Sequence, residues 1–150
     1  MENGESAVLT AASSTGHKVT WKSAKTSIAS VSENGKVTAK KPGTTTVTAK
    51  VDGTSVNCKV TVKSPTVRLM PSKISLYRRE KYKLKVSSTS KTTPVWKTNK
   101  KSVATVDETG KVTAVKHGTA VITVTVDGVS KNCEVTVRSP KITFEQTTIT

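Results

Sequence analysis

Six cations fall within thirteen residues of this chain: Lys73, Arg78, Arg79, Lys81, Lys83 and Lys85. Three of them alternate with Tyr82, Leu84 and Val86. A strand over residues 81–87 is therefore expected to carry its ammonium groups on one face, about 7 Å apart, with its apolar side chains on the other. Such a face would attract the phosphates or sulfates of an anionic polymer, such as teichoic acid or a sulfated glycan, without reading a sequence. The same lysines have a protective use, because charged side chains on an exposed or edge strand block sheet-to-sheet association. The protective use is the favoured one.

The remaining reactive side chains do not assemble into an active site. Cys58 and Cys133 are the two cysteines, and His17 and His117 the two histidines; neither histidine recurs in the other half of the chain. Neither cysteine has the paired spacing of a zinc site, and no Gly-x-Ser-x-Gly elbow or catalytic carboxylate pair is present. The expectation is a non-enzyme with no cofactor and no metal. Trp21 and Trp96 could stack on sugars, but both stand where a sandwich buries an aromatic between its sheets, so both are placed in the core.

The elements that must position these groups come in two copies. Residues 21–65 recur as residues 96–140 at a constant offset of 75, without a gap. One cysteine falls in each copy, so no disulfide can form within a copy. The chain has 150 residues and a formal charge of +15, unevenly spread. Residues 1–64 hold nine basic and four acidic groups, residues 65–139 fifteen and five. Aromatic residues make up 3% of the chain, so the cores must be built from Val, Ala, Ile and Leu, with Thr and Val favouring pleated surfaces. No apolar run is long enough for a membrane-spanning helix, and Met1 is followed by polar residues rather than a signal segment.

Strands are expected at residues 66–70 and 73–77, interrupted at Pro71, then at 81–87, 94–98, 103–106 and 110–116. The clearest local signal is a hairpin of residues 44–51 and 54–63 around Asp52-Gly53, repeated around Asp127-Gly128, where a two-residue type I′ turn is expected. Such a turn sets Val47 opposite Cys58 and Thr45 opposite Val60, and in the second copy Ile122 opposite Cys133 and Ala120 opposite Val135. The predicted core therefore holds Trp21, Trp96, Val47, Cys58, Val60, Ile122, Cys133 and Val135, with cysteine acting as a small hydrophobe. About seven short strands per copy give an all-β chain of tandem antiparallel sandwiches.

Three segments are expected: residues 1–64, a first repeat without its opening strand; residues 65–139, a complete second repeat; and residues 140–150, the opening strand of a third. The junction has no Gly/Ser linker and contains Pro65, which predicts a stiff, elongated pair. The first repeat would have an open edge, and residues 141–150 of a neighbouring molecule are a candidate for strand exchange there. Ala7 and Ala11 stand where the second repeat has Tyr82 and Val86, so the first repeat should be the less stable.

The pattern W-K-x-x-x-x-S-[IV]-A-x-V-x-E-x-G-K-V-T-A, followed by Gly-Thr, the Asp-Gly turn and C-x-V-T-V, resembles the bacterial immunoglobulin-like domains of group 2 (BIG2). The resemblance implies immunoglobulin-like sandwiches in tandem on secreted or surface-anchored bacterial proteins, among them adhesins and proteins with cell-wall or carbohydrate-active modules. Some family members bind calcium, but the ten acidic residues here are scattered and Asp52 and Asp127 are used by turns. The expected function is a non-catalytic stalk, spacer or adhesion module at the bacterial cell surface or outside the cell. Its expected partners are neighbouring repeats, with host or cell-wall glycans or other anionic polymers as candidates for the basic face. The alternatives are a polyanion-binding module using that face and an accessory domain of a carbohydrate-active enzyme.

Overall fold

The computed structural model describes residues 1–145. The chain divides into two compact units: Met1–Val67 with Ser87–Thr93 and Thr125–Val129, and Arg68–Val86 with Pro94–Val124 and the chain from Ser130 onward. Among the described residues every regular element is a strand. The short alternating runs of Val and Thr, punctuated by Gly and Asp, offer no helical stripe to bury.

In the first repeat, β1 (Ser6–Val8), β3 (Ala29–Val31) and β4 (Lys36–Ala39) form one sheet in the order β1-β4-β3. The second sheet comprises β2 (Thr20–Ser23), β5 (Gly43–Val51) and β6 (Thr54–Val62), ordered β2-β5-β6. Ala29, Val37 and Ala39 from the first sheet pack in one cluster with Val47, Val60 and Val62 from the second, which is the apolar layer of a sandwich. Each fully buried valine contributes roughly 1.5–3 kcal/mol. The hairpin has the expected register: Val47 faces Cys58 and Thr45 faces Val60. Asp52 and Gly53 both take positive φ, 49° and 80°, as a type I′ turn requires.

The second repeat reproduces these strands at the same offset and adds others. β7 (Val67–Met70) pairs with β10 (Lys85–Ser88). β9 (Lys81–Lys83), β12 (Ala104–Val106) and β13 (Lys111–Ala114) form the order β12-β13-β9. β8 (Lys73–Tyr77), β11 (Val95–Thr98), β14 (Gly118–Val126) and β15 (Val129–Arg138) form β11-β14-β15-β8. Pro71 lies where the chain passes from β7 to β8 and so changes sheet. β8 runs parallel to β15, with five residues in register from Lys73 opposite Glu134 to Tyr77 opposite Arg138. Ile74 and Leu76 thereby join a cluster with Leu84, Val112, Ile122, Cys133, Val135 and Val137. Asp127 and Gly128 repeat the turn at φ 48° and 80°.

Several expectations need correcting. Residues 81–87 do not form one strand, because Leu84 leaves the ladder and drops into the core, its N–H donating to the Gly110 carbonyl at 3.0 Å. β9 before it pairs with β13, and β10 after it pairs with β7. Cys58 points to the inner face as expected but is only partly buried, unlike Cys133. The reason is local: β15 is flanked by β8 on its outer side, whereas β6 is the edge of its sheet. Residues 141–145 carry no strand, and the rest of the expected third-repeat strand lies outside the described residues.

Candidate functional site

The basic cluster is built mainly on β9, the edge strand of its sheet. Lys81 and Lys83 are exposed there, opposite Thr113 and Lys111 respectively. The Lys83–Lys111 juxtaposition puts two ammonium stems on directly opposed positions, about 5 Å apart at Cβ, an arrangement that is unfavourable without a counter-ion. In the first repeat the same place holds Val8 opposite Lys36, so the doubled charge belongs to the second repeat alone. Nothing in the spacing of the sequence singles out Lys111; only the strand register reveals it.

Arg78 and Arg79 occupy the exposed turn between β8 and β9. Arg79 takes φ 73°, and its N–H donates to the Ala114 carbonyl at 2.9 Å, which ties the turn to the end of β13. Glu80 closes this turn by accepting from the Tyr77 N–H at 2.8 Å, so its carboxylate serves the backbone. Among the described residues none of the six predicted cations lies within 4.0 Å of a carboxylate oxygen; the contact of that kind there is between His17 Nδ1 and Asp52 Oδ2. The structure thus brings Lys81 and Lys83 together beside Lys111 and the Arg78–Arg79 turn. Lys73 sits on β8, level with Glu134, and Lys85 on β10, both in other sheets. Tyr82, expected on the inner face, is 41% exposed because β9 has no outer neighbour.

Trp21 and Trp96 are half-buried rather than enclosed, each packed against the cluster of its own repeat. Each lies over a turn glycine of positive φ. A Cβ on Gly110 would stand 2.6 Å from Trp96 Cζ2, and one on Gly35 would stand 2.9 Å from Trp21 Cζ2. The bare glycine is thus what lets the indole lie on the turn. Val47, Val60, Ile122, Cys133 and Val135 are buried.

The other polar groups serve local structure. The Asp107 carboxylate accepts from the Thr109 hydroxyl at 2.7 Å, the Thr109 N–H at 2.8 Å and the Lys111 N–H at 3.0 Å. The Thr109 hydroxyl and then the Lys111 amide hold its pKa below the ordinary 3.8. Burial, and then the Glu134 charge, push the Cys133 thiol up. His17 Nδ1 lies 2.7 Å from Asp52 Oδ2 on an exposed turn, and His117 is exposed. Among the described residues no three of His, Cys, Asp and Glu converge as metal ligands. No helix there is long and apolar enough to cross a membrane, which says nothing of strands.

The bacterial Ig-like domain (group 2) family model matches residues 5–64 and again 61–137. The chain belongs to that family. This bacterial Ig-like chain is 34% identical over 134 residues to an uncharacterised protein of Clostridium acetobutylicum, an alignment covering 81% of the chain and 13% of that relative. Similar solved structures include an S-layer protein, at 23% identity, TM-score 0.45, and coverage of 81% of this chain and 20% of that one. A C-terminal intimin fragment in complex with the intimin-binding domain of its translocated receptor is similar at 21% identity and TM-score 0.41, over 81% of this chain and 51% of that one. Invasin, described as a bacterial integrin-binding protein, is similar at 12% identity and TM-score 0.42, over 81% of this chain and 31% of that one.

Proposed function

We propose that this bacterial Ig-like chain is a non-catalytic stalk or adhesion segment of a secreted or surface-anchored protein, with repeats over residues 1–64 and 65–139 and a third opening at residue 140. The observation that supports this reading most is the parallel pairing of β8 with β15. In this parallel pair the entering end of β8 and the leaving end of β15 lie at opposite ends of the ladder. A pull applied through the chain therefore shears all five registered positions together rather than unzipping them one at a time. A segment that holds other domains at a distance needs that resistance.

Stretching single molecules of the full chain tests the proposal. Two unfolding events are expected, with the higher force from the repeat that carries the β8–β15 ladder. Leu76→Ala, in β8, should lower only that event. Two events of equal force, both unmoved by the substitution, would remove the mechanical reading.

A second reading, capture of anionic polymers, is favoured by one observation: the unpaired Lys83–Lys111 juxtaposition on an exposed edge strand. Teichoic acid or a sulfated glycan would supply the missing counter-charge, with Arg78, Arg79 and Lys81 alongside.

A further inference from the structure

The register of the β12-β13-β9 sheet lays out its outer face. Val112 and Ala114 are buried, so Lys111 and Thr113, which alternate with them on β13, point outward. Thr113 stands opposite both Thr105 on β12 and Lys81 on β9, while Lys111 stands opposite Lys83. The face therefore carries the row Thr105-Thr113-Lys81 and, about 7 Å along the strands, the pair Lys111-Lys83. Asp107 follows Lys111 in that second row, with its carboxylate accepting from Thr109 and from the Lys111 amide. Tyr82 lies between the two lysines but is level with the buried Val112 and points to the other side of β9. In the first repeat Ser6 and Val8 hold the places of Lys81 and Lys83, opposite Thr38 and Lys36.

Cations on every second residue of a strand fit a polymer whose charges recur over the same length. In a polyol phosphodiester of the poly(glycerol phosphate) kind, neighbouring phosphorus atoms are joined by as many backbone bonds as two residues of peptide. Extended, the two chains therefore advance together, by about 7 Å per charge. A sulfated glycan carries its charges as side groups on a chain of rings that repeats over two sugars, a longer interval. Single-stranded nucleic acid has a similar phosphate interval but draws much of its binding from bases stacked on aromatic rings. The rows of this face hold no aromatic side chain among the described residues; beside the cations they offer Thr105 and Thr113, whose hydroxyls suit the free hydroxyls of a polyol.

We propose that the outer face of β9 and β13 binds a polyol phosphodiester lying along β9, with one phosphate at Lys81 and the next between Lys83 and Lys111. The second phosphate relieves the repulsion of the two directly opposed lysines. Such binding rests on the anionic-polymer reading above and narrows it to one chemistry.

Titration of the full chain at low salt with poly(glycerol phosphate), heparin and oligothymidylate, matched in concentration of negative charge, tests it. Poly(glycerol phosphate) should bind most tightly. Lys81→Ser/Lys83→Val copies the residues of the first repeat's own strand, so it suits the fold, and it should weaken that binding about tenfold. Lys81→Thr/Thr105→Lys keeps the net charge but carries one cation across the sheet to β12. It should weaken poly(glycerol phosphate) about threefold to fivefold and leave heparin within about twofold. Equal affinity for all three polymers, with no effect of the charge-conserving exchange, would overturn the spacing match while leaving capture by charge alone. Tighter binding of heparin or of oligothymidylate would replace the polyol with a glycan or a nucleic acid and overturn the proposal. Binding of none of the three would remove the anionic-polymer reading and this proposal with it.

Discussion

Alanine at Gly110 separates a backbone cost from a packing cost, because the second repeat contains its own control. Gly110 and Gly128 have nearly the same φ, 84° and 80°. An L-residue in that left-handed region costs about 1–2 kcal/mol, so both substitutions incur this amount. A Cβ at Gly128 meets nothing within 4 Å, whereas one at Gly110 lies 2.6 Å from Trp96 Cζ2 and 2.9 Å from Cη2. Relieving that overlap by moving the indole adds roughly 1–3 kcal/mol, the usual cost of overpacking. Gly128→Ala should therefore cost about 1–2 kcal/mol and Gly110→Ala about 2–5 kcal/mol. In a unit of this size 1 kcal/mol moves the midpoint by about 4–8 °C, so thermal unfolding resolves the difference. Tryptophan emission in the native state should also shift to the red in Gly110→Ala alone. Equal losses for the two variants, with unchanged emission, would refute the claim that the indole packs on the turn and depends on the missing side chain.

Three further outcomes are expected. Thiol labelling under native conditions should modify Cys58 rapidly and Cys133 only after unfolding, and equal rates would contradict the difference in burial. Asp107 has a depressed folded pKa, so its contribution is present above about pH 3.8 and is lost as pH falls through the lower folded value; Asp107→Asn should flatten that acid limb, and an unchanged pH profile would refute the role. Heparin binding, if the basic edge captures polyanions, should weaken steeply with salt and fall at least about tenfold in Lys83→Glu/Lys111→Glu, while Lys73→Glu changes it little; equal effects of the two variants would remove the β9–β13 cluster as the site.

Much of the architecture is legible in the sequence because its determinants are local. The Asp-Gly turn admits one register, and that register by itself places Val47 against Cys58. The offset of 75 then carries the same strands into the second repeat. Alternation of side chains fails at residues 81–87 because it reports which face a residue occupies, not which strand it pairs with. Leu84 is on the correct face yet ends one ladder and begins the passage to another. The parallel partner of β8 and the approach of Lys111 to Lys83 are hidden for the same reason, since ladder order and strand direction leave no period in the sequence. Cys58 and Cys133 share a sequence context, and what separates them is a neighbouring strand distant in the chain. The basic cluster is therefore legible as a composition and only partly as a surface.

The central claim is that each repeat closes around its own apolar layer, built from matching positions. Residue-resolved amide exchange of the native chain tests this most directly. Two sets of slowly exchanging amides are expected, around Val37, Val47 and Val60 in the first repeat and around Val112, Ile122 and Val135 in the second, with the second set the slower. Protection confined to one set, or a single set of rates spanning both repeats, would contradict it.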